Sequence, residues 1–237
     1  MNTEWFRHFH DAPAGAPRLI CFPHAGGAAS AYLPLARVLS SFAEVWCVQY
    51  PARQERRREP HFGTVPALAD MVAEALGEGP YAFFGHSMGA VVAYEVAHRV
   101  TPTALIVSGR RAPSTTRSER VHLRDDDGVL AEIRALSGTD QRILDNDELL
   151  RMVLPTLRAD YRAVETYEFP GHPPLSTPIT ALVGDRDPKA TVPEVEAWAG
   201  HTTGPFGLHV LPGGHFFLDD RRQEVAALVR AALTAAA

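Results

Sequence analysis

A serine, an acid and a histidine stand in a telling order along this sequence. Ser87 is the centre of Gly85-His86-Ser87-Met88-Gly89, a G-x-S-x-G pattern with the apolar run YAFF before it and AVVAYEVAHRV, spaced for a helix, after it. A sharp strand-to-helix turn crowds the backbone on both sides, which small residues at 85 and 89 relieve, and it lifts the serine hydroxyl to the positive end of a helix. A serine at a helix start can also be a plain N-cap. The flanks favour the nucleophile. A hydroxyl attacks poorly without a base, and the base needs an orienting carboxylate. His215 lies in a glycine-flanked loop past GLHVLP, and Asp185 and Asp187 lie just past PITALVG. Asp187, a turn beyond the strand end and ahead of Pro188, can face a cleft and is the favoured partner; Asp185, nearer the strand, can instead cap or brace the loop. His86 competes as a base by proximity, but neighbours on a tight turn point apart, which makes it a wall or support of the site.

Attack on an acyl carbon creates an oxyanion that needs donors. The stretch FPHAGGAASAY (22–32) places two glycines between a strand and a helix and exposes backbone N–H groups there. The amides of Ala25 and Met88 are the expected pair. His24, Gly26, Gly27 and His86 flank these positions, Phe216 follows His215, and Arg110 and Arg111 follow a strand end near the expected cleft; all are candidates for contact with a substrate or partner. RQERRR (53–58) could meet an acidic partner or a phosphate, although Glu55 and Glu59 interrupt it as they would a solvated face. Neither phosphate-cradling glycine pattern occurs. No ligand-spaced His/Cys cluster is present, so neither metal nor cofactor is expected.

The elements that must position these residues alternate. Runs 18–22, 43–50, 81–85, 103–109, 178–184 and 207–212 read as strands, separated by stretches with apolar residues at helical spacing. Strands apolar on both faces, with helices between, imply an α/β fold with a mostly parallel, doubly wound sheet. Residues 113–176 hold no good strand but carry GVLAEIRALSG and LRADYRAVETYEF, which are expected to form a helical lid insertion within a single domain spanning 1–237. Leu149, Met152, Val153 and Leu157 are candidates for its inner face.

With 23 Lys and Arg against 28 Asp and Glu, the net charge of −5 gives no general attraction to nucleic acid or anionic membrane. The first residues lack an uninterrupted apolar stretch, and no apolar run reaches the roughly 18 residues that could cross a bilayer. A soluble, cytoplasmic protein is expected. Cys21 and Cys47, each within a strand-like run, fit buried reduced thiols.

Taken together, FPHAGGAASAY, VQYPARQERRREP, YAFFGHSMGAVVAYEVA, LRADYRAVETYEF, ITALVGDRDPKA and WAGHTTGPFGLHVLPGGHFFL resemble the type II thioesterases that accompany polyketide and nonribosomal peptide synthetases. The likeness runs from about residue 18 to 222. It implies the α/β-hydrolase fold, a Ser87–His215–Asp187 triad, and hydrolysis of misprimed or stalled acyl groups from the phosphopantetheine arm of acyl or peptidyl carrier proteins. The family commonly has a glycine where Ala52 follows Pro51 here. A small-molecule esterase or acyltransferase on the same scaffold is the competing expectation, because fold and triad do not fix substrate.

Overall fold

The computed structural model describes residues 1–77, 79–136 and 147–236. Among these, seven strands form one sheet: β1 (Phe6–His8), β2 (Arg18–Phe22), β3 (Glu44–Val48), β4 (Ala82–His86), β5 (Ala104–Ser108), β6 (Ile179–Gly184) and β7 (Phe206–Leu211). Their order is β1-β3-β2-β4-β5-β6-β7. All neighbours run parallel except β1, which pairs antiparallel with β3. The six parallel strands are those read from the sequence. The seventh escaped because it is three residues long and buries only Phe6 fully.

Period-two alternation sends consecutive residues to opposite faces. Ile20, Phe22, Phe83 and Leu105 face a core shared with α2 (Val65–Leu76) and α3 (Met88–Ala97). Leu19, Cys21, Phe84 and Ile106 face a second core; α1 (Leu33–Leu39) and the C-terminal α8 (Arg222–Ala235) cover it. Every residue of β4 and β5 is buried, as a central strand covered on both faces requires. Cys21 and Cys47 are buried free thiols, paired in register across β2 and β3. No described helix is long and apolar enough to cross a membrane.

Between β5 and β6 the described residues form a 3₁₀ turn at Val121–Leu123, α4 (Asp126–Leu136) and the long α5 (Asp147–Glu165). They carry a small core of their own, in which Val121, Val129, Ile133, Leu154, Leu157 and Tyr161 are buried together. Two short helices follow, α6 (Val192–Glu196) and α7 (Phe217–Asp220). The chain runs from β2 outward to β3 and then returns to β4 on the other side of β2. That reversal is the crevice where open α/β sheets bind ligands.

Candidate active site

Ser87 follows β4 directly at this crevice. Its backbone takes φ 54° and ψ −119°, a conformation rare for a side-chain-bearing residue and sustained only by firm surroundings. The fold supplies them: the Ser87 N–H donates to the Ser108 carbonyl of β5 at 2.8 Å. The two glycines are required by contact. A Cβ on Gly85 would lie 2.3 Å from the Gly89 carbonyl oxygen, and one on Gly89 would lie 1.9 Å from that of Phe22. The Ser87 side chain makes no capping hydrogen bond to α3, so the plain N-cap reading is set aside.

The Ser87 hydroxyl instead lies 3.0 Å from His215 Nε2. Across the same ring, Nδ1 is 3.0 and 2.9 Å from the two carboxylate oxygens of Asp187. That contact assigns the Nδ1 proton and leaves Nε2 to accept from the serine. Both His215 and Asp187 are buried. Asp187 also accepts from the Lys189 N–H at 2.8 Å, which fixes its rotamer. Asp185 is exposed and points elsewhere, with Oδ1 accepting from the Gly213 N–H at 2.8 Å. It braces the histidine-bearing loop.

The amide N–H groups of Ala25 and Met88 take no part in hydrogen bonds among the described residues, and both residues line the cavity over Ser87. They are free to receive an oxyanion. The wall also includes His24, Phe216 and Arg110. Burial lowers the His24 pKa to about 4, against the opposing hydrogen bond from its ring to the Ala25 carbonyl, so it is neutral near pH 7. Burial, helped by neighbouring Arg111, lowers Arg110 to about 10. Its Nε is buried without a hydrogen-bond partner among the described residues.

His86, Gly26, Gly27 and Arg111 do not line the cavity, contrary to the expectation of substrate contact. His86, Gly27 and Arg111 are buried behind it, and Gly26 is exposed on its loop with its N–H donated to Asp160. His86 packs its ring 5.0 Å from that of His215 and 5.3 Å from that of Phe216. Its Nδ1 lies 3.0 Å from the Ser108 hydroxyl, and burial, then the proximity of His215 and His24, holds it well below the ordinary histidine value. Arg111 is buried in an ion pair with Glu119 at 2.8 Å. The RQERRR cluster is likewise less available than its letters suggest, because Arg53 and Arg56 are buried and paired inside.

Sequence reasoning missed Glu119 and Lys189, which line the cavity with Leu136, Tyr161, Val164 and Glu165 from the helical segment. The spacing of Leu157, Tyr161 and Val164 on one stripe of α5 was the available signal. Of the residues expected on its inner face, Leu157 is buried, whereas Met152 is 64% exposed. The Leu149 side chain lies outside the described residues. The cavity measures about 40 Å³.

A thioesterase-domain family model matches residues 17–233. The chain is 51% identical to the "Probable cadicidin biosynthesis thioesterase" of Streptomyces griseus over 98% of its own length, and spans 66% of that relative, just under two thirds. It is 52% identical to thioesterase PikA5 of Streptomyces venezuelae, covering 93% of this chain and 82% of that one. Among solved structures, the type II thioesterase BorB from the borrelidin biosynthetic cluster superposes with a TM-score of 0.91 at 43% identity, covering 98% and 99% of the two chains. A serine on a forced turn, matched within a family that spans nearly the whole chain, leaves one assignment: the chain belongs to the thioesterase family and has the α/β-hydrolase fold.

Proposed function

We propose that this protein is a cytoplasmic type II editing thioesterase that removes aberrant or stalled acyl groups from the phosphopantetheine arm of carrier proteins in a polyketide or nonribosomal peptide assembly line. The observation that carries this reading is the 3.0 Å approach of Ser87 to His215 beside two free amides, in a chain related to thioesterases of biosynthetic clusters.

The Ser87 oxygen attacks the thioester carbonyl while its proton passes to His215 Nε2, and the carbonyl electron pair moves to oxygen. Asp187 accepts from Nδ1 and stabilises the imidazolium. The Ala25 and Met88 amides take the oxyanion, each such donor being worth about 3 kcal/mol. Collapse breaks the C–S bond, and the departing sulfur takes the proton from His215. Water then attacks the acyl-serine by the same route in reverse roles. A thiolate leaves readily, so no stronger acid is needed. Residues 113–176 act as the lid, since α4 and α5 contribute Leu136, Tyr161 and Val164 to the cavity roof.

The test follows the intact mass of an acylated carrier protein. Wild type is expected to strip the acyl group, and Ser87→Ala to slow this by at least about 10⁴-fold. Persistence of the acyl-carrier alongside rapid cleavage of simple oxygen esters would turn the assignment to a small-molecule esterase.

A further inference from the structure

A carboxylate has no ordinary place in the apolar stripe of a helix, yet Asp160 sits among Leu157, Tyr161 and Val164 on the inward side of α5 and is fully buried. Its partners come from far along the chain. Oδ2 accepts from the Gly26 N–H at 2.6 Å and from Arg53 Nη2. Oδ1 accepts from His61 Nε2 at 2.7 Å, the tautomer being set by the Gly63 N–H, which donates to His61 Nδ1 at 3.1 Å. Burial pushes the Asp160 carboxyl up, but the Arg53 charge and these hydrogen bonds outweigh it and keep it ionised.

Arg53 has two further bonds, from Nε to the Gly27 carbonyl at 3.2 Å and from Nη1 to the Pro51 carbonyl at 2.8 Å. The Asp160–Arg53 pair therefore grips backbone groups of two successive residues of one loop, the Gly26 N–H and the Gly27 C=O. Inside that grip, the Gly27 N–H donates to the His24 carbonyl at 2.9 Å. The His24 carbonyl and the Ala25 N–H belong to one planar, trans peptide and point in opposite directions. Fixing the first aims the second into the cavity. The following peptide is held at both ends, by His24 Nδ1 on the Ala25 carbonyl at 2.9 Å and by Asp160 on the Gly26 N–H.

We propose that Asp160 is a positioning residue for the oxyanion site: from the long lid helix, and through Arg53, it sets the orientation of the Ala25 N–H. One half of the oxyanion site, the Met88 N–H, then depends on the sheet. The other half depends on a helix outside it, so a displacement of α5 that breaks the Gly26 bond also disarms the serine. The inference rests on the reading of Ser87 as an acylating nucleophile.

Asp160→Asn and His61→Gln test it, with steady-state turnover of a short acyl N-acetylcysteamine thioester normalised to serine sites counted by a fluorophosphonate. The Ki of an acyl trifluoromethyl ketone, which forms a tetrahedral oxyanion on serine, is measured beside it. Asp160→Asn is expected to lower kcat about 10- to 100-fold with KM within about threefold, and to weaken the ketone by the same factor as kcat/KM. His61→Gln leaves the buried charge paired with Arg53 and is expected to lower both by a few-fold. It decides the matter if Asp160→Asn does not fold. Full kcat per titrated site, or a ketone Ki unchanged while kcat falls, overturns the proposal. A wild type inactive on the thioester instead counts against the thioesterase reading, and the same comparison is then made on an oxygen ester it cleaves.

Discussion

The sheet edge that carries Ser87, Asp187 and His215 and the helical segment that roofs it are held together by different physics. Each of the three residues leaves the end of a strand whose apolar side chains are buried in two large cores, and backbone hydrogen bonds to neighbouring elements fix the loops, such as Arg186 N–H to the Gly213 carbonyl at 3.0 Å. Among the described residues the roof has a small core of six buried side chains; it joins the large core at its C-terminal end through Ala163, Val164 and Leu175, and its outer part is tied by charge. Arg158 holds the carbonyls of His122 and Arg124, Glu165 accepts the N–H groups of Val121 and His122, and Lys189 reaches across to Glu119 and Glu132. Apolar framing gives the reacting groups one geometry. Polar tethering around so small a core places the 3₁₀ turn and α4 among the parts of a fold that open first.

The largest expected effect lies on the rigid side. Asp187→Asn removes the charge and can turn an NH₂ donor toward His215 Nδ1, fixing the wrong tautomer, and should lower kcat by about 10⁴-fold at unchanged KM, whereas Asp185→Asn, altering only a loop brace, should stay within about 10-fold. Steady-state kinetics of the two purified variants checks this; a larger loss from Asp185→Asn would reverse the roles assigned to the two carboxylates.

A middle-sized effect belongs to the roof. Burial raises the Glu119 carboxyl, but the Lys189 hydrogen bond and the Arg111 charge bring it down to about 2. A carboxylate held low in the fold stabilises it above its ordinary value of 4.5, and that contribution is lost as the pH falls from there toward 2. Pepsin cleavage within 113–136 should therefore accelerate over that window before the sheet unfolds, and Glu119→Gln should flatten the acceleration while raising susceptibility near pH 5. Simultaneous loss of both regions would break the contrast.

The smallest effect sits where the two regions meet. Ala52 has φ 65°, its N–H donates to the Arg56 carbonyl at 3.1 Å, and its own carbonyl accepts from Thr156 of α5 at 3.3 Å. A left-handed conformation strains alanine and not glycine, so Ala52→Gly, the residue the family resemblance implies here, should stabilise by up to about 1 kcal/mol in denaturant unfolding. A destabilisation would mean that the entropy glycine adds to the unfolded chain outweighs the relieved strain.

The legibility of the two regions differs in the same way. Strand ends and the glycine pair at 85 and 89 are local patterns, and Ser87, Asp187 and His215, though up to 128 residues apart, are each marked locally by the strand end just before them; the structure brings them within hydrogen-bonding distance. The Arg53–Asp160–His61 assembly joins positions 107 and 99 residues apart, and nothing in RQERRR marks its first arginine as buried. The trace it left was an acid inside an apolar stripe, which the eye reads as a solvent-facing residue until α5 is docked. β1 was hidden by brevity, since three residues with one buried side chain carry no alternation.

The 40 Å³ over Ser87 has room for little more than a water or two, far less than an acyl chain on its arm. On the proposed reading, an acyl chain enters only in a roomier conformer, and the fraction of time spent there scales down the apparent affinity for every such carrier alike. A delay of that kind works as a clock. An intermediate handed promptly to the next station departs before the clock runs out, while one that has stopped moving is still present when the door opens, so discrimination can rest on residence time with no need to recognise what went wrong with the chain.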